Sequence, residues 1–312
     1  MAVTAGRLLA IAVLAVSGCA SVPAPEYGGT PPASREEPVE LAAVPFFPQG
    51  EYQCGPAALA TVLQSAGIAR TPQQLAEQVY LPQRQGSLQL ELLGATRRAG
   101  AVPYVLHDPP DGLLREVAAG HPVVVLQDLG HLLPQWHYAV VVGFDLAQKT
   151  LTLRSGTTPR LVMSISDFDR SWARSERWAF VALPPDRLPA SASELEYVQA
   201  AAAFERVMPA MGPRAYQTAL NVWPKNLFAR LALGNAAYRQ QQLGEAGAQY
   251  RQATVDHPES GDAWNNLAQV LFEQGRMEEA GAAARRAVAI GGPRLATYAA
   301  TLRTIEPGAV VH

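Results

Sequence analysis

Apolar and polar positions follow three different patterns along this 312-residue chain. The apolar-rich run from Cys54 to Ala66, ended by Gly67, predicts a helix. Thr71-Pro72 reads as an N-cap with proline in the first helical position, opening a second helix to about Val79. Ser87 is placed to cap a third helix through Arg98, and Asp111 a fourth to Ala119. Short β-rich runs predict strands at Val102 to Leu106, Val123 to Leu126, His137 to Phe144, Thr150 to Arg154, Leu161 to Met163 and Trp178 to Leu183. A mainly helical front and an antiparallel back predict one α+β domain over residues 41–185.

Past the Pro-rich joint at 184–189 the pattern becomes helical throughout and repeats. Leu233-Gly234 recurs as Leu267-Ala268, Ala246 as Ala280, Tyr250 as Ala284 and Ala253 as Ala287, each pair 34 residues apart. One period earlier stand Ala200, Phe204, Tyr216, Ala219 and Pro224. This period, with small residues where helices cross, resembles tetratricopeptide repeats. The predicted repeats are 225–258 and 259–292, a degenerate one at 191–224, and a trailing helix to about 305. Three helix pairs meet the minimum for a stable stack, and such stacks bind extended partners on their concave face.

The first residues follow neither pattern. Arg7 precedes nine uninterrupted apolar residues, Leu8 to Val16. At 1.5 Å per residue this run is too short for a hydrocarbon core of about 30 Å, so it predicts a signal segment rather than a spanning helix. Val16-Ser17-Gly18-Cys19 resembles a bacterial lipoprotein box. That resemblance implies a signal peptide at 1–18, acyl chains on Cys19 and a lipid bilayer as partner. With Ala20 next, it implies an outer-membrane anchor facing the periplasm. Residues 19–40, rich in Pro, Gly and Ser, then form a tether.

Composition narrows the chemistry. Hydrophobic residues are 48% and charged residues 17%, enough for a packed core. Twenty-five Lys and Arg against 27 Asp and Glu give −2, and the cations form no run longer than two, so nucleic acid is not an expected partner. No Gly-rich phosphate loop follows a strand, and no His-x3-His or Cys-x2-Cys spacing appears, so neither nucleotide, metal nor other cofactor is expected. The chain has two cysteines, and acylation would consume Cys19. Cys54 is then a lone thiol, either a buried hydrophobe or a retained nucleophile.

Its surroundings favour the nucleophile. Cys54 stands where a helix begins, with Pro56 in the first turn. Unpaired N–H groups and the helix dipole there stabilise thiolate and can bring a cysteine pKa from 8.5 to about 3.5–7.5. The same N–H groups can donate to an oxyanion, with the amide of Gln49 as a second donor. Of the six histidines, His137 opens the strand HYAVVVGFD, where a sheet-edge imidazole can face the head of a packed helix. His121 precedes Pro122 at another strand start and reads as structural; His107 and His131 fall in loops.

Gln49-x4-Cys54-Gly-Pro-Ala-Ala-Leu followed by His137-Tyr-Ala-Val-Val-Val-Gly-Phe-Asp resembles cysteine peptidase family 39, the bacteriocin-processing leader peptidases of papain-like fold. The resemblance implies a hydrolase with Cys54 as nucleophile, His137 as general base, Gln49 as oxyanion donor and a peptide or protein as substrate. The family's orienting Asp, in an Asp-Pro pair on the next strand, is missing. A turn at about Leu146 to Gln148 would set Ala139 opposite Ser155 and His137 opposite Thr157, in a stretch with hydroxyls but no carboxylate. Asp145 lies eight residues along the strand, roughly 26 Å away. Ser155, Thr157 or Asp128 are the candidates to orient the imidazole. Two alternatives to a peptidase follow: an inactive peptidase-fold adaptor whose repeats scaffold an envelope complex, and a Cys–His enzyme of transglutaminase or amidase type.

Overall fold

The computed structural model describes residues 37–49, 53–130 and 132–308. The predicted signal segment, Cys19 and most of the predicted tether lie outside them. No helix among the described residues is long and apolar enough to cross a membrane.

Seven strands form one antiparallel sheet: β1 (Val39–Glu40), β2 (Val102–Val105), β3 (Val123–Asp128), β4 (Trp136–Asp145), β5 (Thr150–Ser155), β6 (Thr158–Ser164) and β7 (Ala179–Leu183). Their order is β2-β7-β3-β4-β5-β6, with β1 paired to β4 through Val39↔Phe144 and Glu40↔Gly143. The sheet therefore includes two residues from the stretch read as tether. Arg154, buried on β5, holds the following segment down: its guanidinium donates to the carbonyls of Ala42, Val44 and Pro159.

Alternation along β4 separates two cores, as a two-residue side-chain period requires. Tyr138, Val140 and Val142 face α1 (Cys54–Ser65), α2 (Pro72–Val79) and α3 (Gln89–Arg98), meeting Leu59, Leu63, Leu75 and Leu92. Ala139 and Val141 face the other way, toward α4 (Pro109–Ala118) and α5 (Ile165–Ala173). Thr71 caps α2 with the reciprocal Gln74 bond of a capping box. Two expected helix starts move. The N-cap of α3 is Leu88, and Ser87 makes no cap; α4 begins at Pro109, its two prolines occupying the N-terminal turn, with Asp111 inside that turn.

The helical repeats are α6 (Glu194–Glu205) with α7 (Gly212–Val222), α8 (Leu227–Arg239) with α9 (Leu243–Asp256), α10 (Gly261–Glu273) with α11 (Met277–Ile290), and the trailing α12 (Leu295–Ile305). Gly234 explains one recurring small residue: a Cβ there would meet the Tyr250 ring at 2.4–2.9 Å, so only glycine lets α8 and α9 approach this closely. The degenerate first pair is not a free end. Tyr197, Phe204 and Tyr216 are fully buried in the core that holds Ala139, Phe168 and Trp172. Polar bonds close the same joint: the buried Glu116 carboxylate accepts from Ser191 N–H at 2.7 Å and pairs with His121 Nδ1 at 2.7 Å, while Tyr104 Oη donates to Glu196 at 3.1 Å. His121 is structural, as expected.

One shared core predicts one melting transition. Phe204→Ala should cost about 3–5 kcal/mol and lower the melting of sheet and helices together, seen as coincident near- and far-ultraviolet circular dichroism curves. Two separated transitions would contradict a common core.

Candidate functional site

The thiol's position follows from where strands stop. Leu126 N–H donates across to Trp178 O at 3.2 Å, on the β7 side, so the Leu126↔Tyr138 pair exchanges no bonds between β3 and β4. Tyr138 N–H therefore points toward β5. That strand has ended at Ser155, and Gly156-Thr157 already turn into β6. Cys54, first residue of α1 and half-buried, occupies the vacated slot, its sulfur taking bonds from the backbone N–H groups of Tyr138, Gly55 and Cys54 itself.

His137 directly precedes Tyr138, the donor to that sulfur, in β4. Its Nε2 shares a 2.9 Å hydrogen bond with Ser155 Oγ, leaving Nδ1 as the other ring nitrogen. The register explains the reach. Val140 pairs with Arg154, which sets Ser155 one step on, beside Ala139 and diagonal to His137. A bulge between Val141 and Gly143 absorbs one residue, so pairing nearer the turn is offset (Asp145↔Thr150) while the site keeps the expected register. Thr157 lies exposed in the turn. Asp128 is likewise engaged elsewhere: its Oδ1 accepts from Gly130 N–H at 2.9 Å and Gln135 N–H at 2.8 Å, and its Oδ2 faces Arg174 at 3.7 Å. Gln49 N–H donates to Gly156 O at 3.0 Å, which ties the loop before Cys54 to the same turn.

Two participants escape a reading of residue types. Tyr138 contributes a backbone N–H, a group every non-proline residue carries. Ser87, read as a helix cap, instead abuts the head of α1: a Cβ on Gly55 would lie 2.5 Å from Ser87 Oγ. Ser87 O accepts from Tyr138 Oη at 3.2 Å, so Gly55, Ser87 and Tyr138 interlock behind the sulfur.

The electrostatics correct the expected ionised thiol. Burial pushes Cys54 above its ordinary value, and this outweighs the three N–H groups that pull it down. Burial also pushes His137 below its ordinary value. Both shifts favour a neutral thiol and a neutral imidazole at pH 7. Among the described residues no carboxylate pairs with His137; the hydroxyl of Ser155 orients the ring without charge. Among the described residues, no three His, Cys, Asp or Glu side chains gather as a metal site would require.

A second concavity lies in the repeats. A cavity of about 260 Å³ is lined by Tyr216, Phe228 and Leu231 with Asn235, Arg239 and Asn266. Its charges are internally matched, Arg239 with Glu205 and Arg294 with Asp262 at 3.1 Å.

Residues 41–178 match the model of a family described as Peptidase_C39 like, and residues 214–254 and 231–294 match the tetratricopeptide repeat model. Among solved structures, one described as a C39-like peptidase from Bacillus anthracis is similar at 19% identity and a TM-score of 0.40, over 47% of this chain and 98% of that one. The peptidase domain of ComA, a bi-functional ABC transporter of Streptococcus involved in quorum sensing, is similar at 23% identity and a TM-score of 0.38, over 45% of this chain and 98% of that one. No curated protein matches the chain.

The pKa directions set a pH profile. A raised thiol stays protonated through neutrality, so alkylation of Cys54 by iodoacetamide should be slow at pH 6–7. It should then climb until beyond the ordinary cysteine value of about 8.5. A rate already flat from pH 6 would show a preformed ion pair. Ser155→Asp puts an anion on Nε2, raises His137 and should move the alkylation midpoint down by about one unit.

Proposed function

We propose that this C39-like domain is a thiol peptidase, with the repeats presenting its protein substrate or docking a partner. The observation that carries the proposal is the thiol held against the Tyr138 N–H of β4, one residue along that strand from an imidazole whose Nε2 is fixed by Ser155. In the neutral resting pair, His137 Nδ1 takes the Sγ proton as the sulfur attacks a peptide carbonyl, so S–C bond formation and S–H cleavage go together. The resulting oxyanion receives the Cys54 backbone N–H and the Gln49 side-chain amide. His137 then protonates the leaving amine, and water hydrolyses the thioester. The family match over residues 41–178 supports this chemistry, and the interlock of Gly55, Ser87 and Tyr138 supports a fixed geometry for it. We place the enzyme in the periplasm, anchored to the outer membrane through acylated Cys19, on the pattern of residues 1–19 alone.

One observation favours a second function. With no charge beside Nε2 and both members of the pair pushed neutral, turnover is slower than with a carboxylate in the position of Ser155. In the limit the domain is an adaptor that binds peptides through the repeat groove.

A periplasmic peptide library incubated with the full chain separates the two. Turnover should vanish in Cys54→Ala, and intact-mass measurement should find a thioester adduct on Cys54 in the wild type. Gln49→Ala should lower kcat by about 10²–10³ with little change in KM. Absence of any adduct or cleavage, with retained partner capture by the repeats, would establish the adaptor.

A further inference from the structure

Exposed apolar side chains are not spread evenly over the sheet domain. Up to Leu183, the large hydrophobics left exposed among the described residues are Leu88, Leu90, Leu129, Leu132, Leu133, Trp136 and Val162. All but Val162 lie in two segments, and both segments border Cys54 and His137. Leu88 and Leu90 follow Ser87, which abuts Gly55 at the head of α1. Leu129, Leu132 and Leu133 lie in the connection between β3 and β4, and Trp136, the first residue of β4, directly precedes His137. Leu132 is 97% exposed, Leu133 81%, Leu90 77% and Trp136 52%.

That loop is held in place rather than left to collapse on the core. Asp128 Oδ1 accepts both Gly130 N–H and Gln135 N–H, and Leu129 N–H donates to Gln135 O at 2.9 Å. Arg174 from the end of α5 donates to Gly130 O. Gly130 is required where it stands, because a Cβ there would collide with the Leu133 carbonyl. Its charged neighbours, Asp128 and Arg174, are thus spent on the loop's base. What faces outward is two leucines and an indole.

We propose that the β3–β4 loop is the specificity wall of the Cys54 site, with Leu88 and Leu90 opposite. Its occupant is an extended peptide carrying a bulky aliphatic or aromatic residue close to the reacting bond. This rests on the peptidase function proposed above and adds its substrate class. Continuity with His137 decides the occupant. At about 3.3 Å per residue, side chains within about four positions of the attacked carbonyl fall alongside Trp136 and Leu133. The base clamp makes Asp128 a positioning residue.

The test uses the full chain with Cys54→Ser, so that binding is read without turnover. Fluorescent nonapeptides of Ser, Gly and Ala around a central bond carry one Leu at each of the four positions on either side, with an all-polar peptide as reference. At least one Leu position should tighten binding about tenfold or more, the discrimination one apolar pocket contact gives. The double variant Leu132→Ser/Leu133→Ser removes only exposed side chains and should erase that preference. Gly130→Ala, which keeps both leucines but displaces the loop, should erase it too, with circular dichroism confirming the fold. No Leu preference, a preference that survives the double variant, or no peptide binding would each overturn the wall. So would leucine-dependent adsorption to phosphatidylcholine vesicles without peptide preference, which would make the loop a membrane contact. Leu-dependent binding by Cys54→Ser without cleavage by the wild type would keep the wall and remove the peptidase.

Discussion

The structure around the site depends on β5 ending before it reaches the level of His137. The last recorded pair of the two strands is Val140↔Arg154; beyond it Tyr138 N–H has lost its strand partner. A buried backbone donor must be satisfied, and here a sulfur satisfies it. One strand end thus fixes three things: the slot for Cys54, the turn carbonyl of Gly156 that holds the loop of Gln49, and the hydroxyl of Ser155 that reaches Nε2 diagonally. The bulge between Val141 and Gly143 serves the same end, because without it the register of Ser155 against Ala139 would slip by one and send the hydroxyl to the opposite face.

Much of this was legible in the sequence for a physical reason. Helix and strand periods differ, so the runs at Cys54–Ser65 and Trp136–Asp145 declare themselves. The 34-residue spacing has a physical cause at Gly234, where the Tyr250 ring allows no larger residue. Legibility failed where backbone groups or distant partners decide. Ser87 has the residue type of a cap, but its place against Gly55 is set by tertiary packing. Val39–Glu40 sits in a Pro-rich stretch yet finds an open edge on β4 past the end of β3. The upward push on the thiol is not legible, because a helix N-terminus is visible in sequence and the desolvation opposing it is not.

The joint between the two parts has a functional meaning. Tetratricopeptide repeats stack on neighbours, and a degenerate terminal pair would need a polar outer face to end the array. Here Tyr197, Phe204 and Tyr216 instead bury into the sheet domain, which caps the stack. Groove and thiol site are therefore held in one continuous core rather than joined by a flexible linker. On the proposed function, a segment captured by the repeats would be offered to the site at a fixed geometry, which would remove part of the ordering entropy that binding costs.

The neutral pair also suits a lone cysteine in the exported chain that residues 1–19 predict. Oxidants and disulfides react with thiolate far faster than with thiol. A nucleophile ionised at rest would be consumed in an oxidising compartment, where Cys54 has no resolving partner. Burial that keeps the proton on sulfur protects it, and a hydroxyl at Nε2 preserves the ring's orientation without supplying the charge that would strip that proton away. For the thiol peptidase proposed above, a hydroxyl rather than a carboxylate at Ser155 would exchange intrinsic rate for persistence of the thiol. On the proposed function, ionisation would be deferred until a bound peptide carbonyl is there to receive the sulfur.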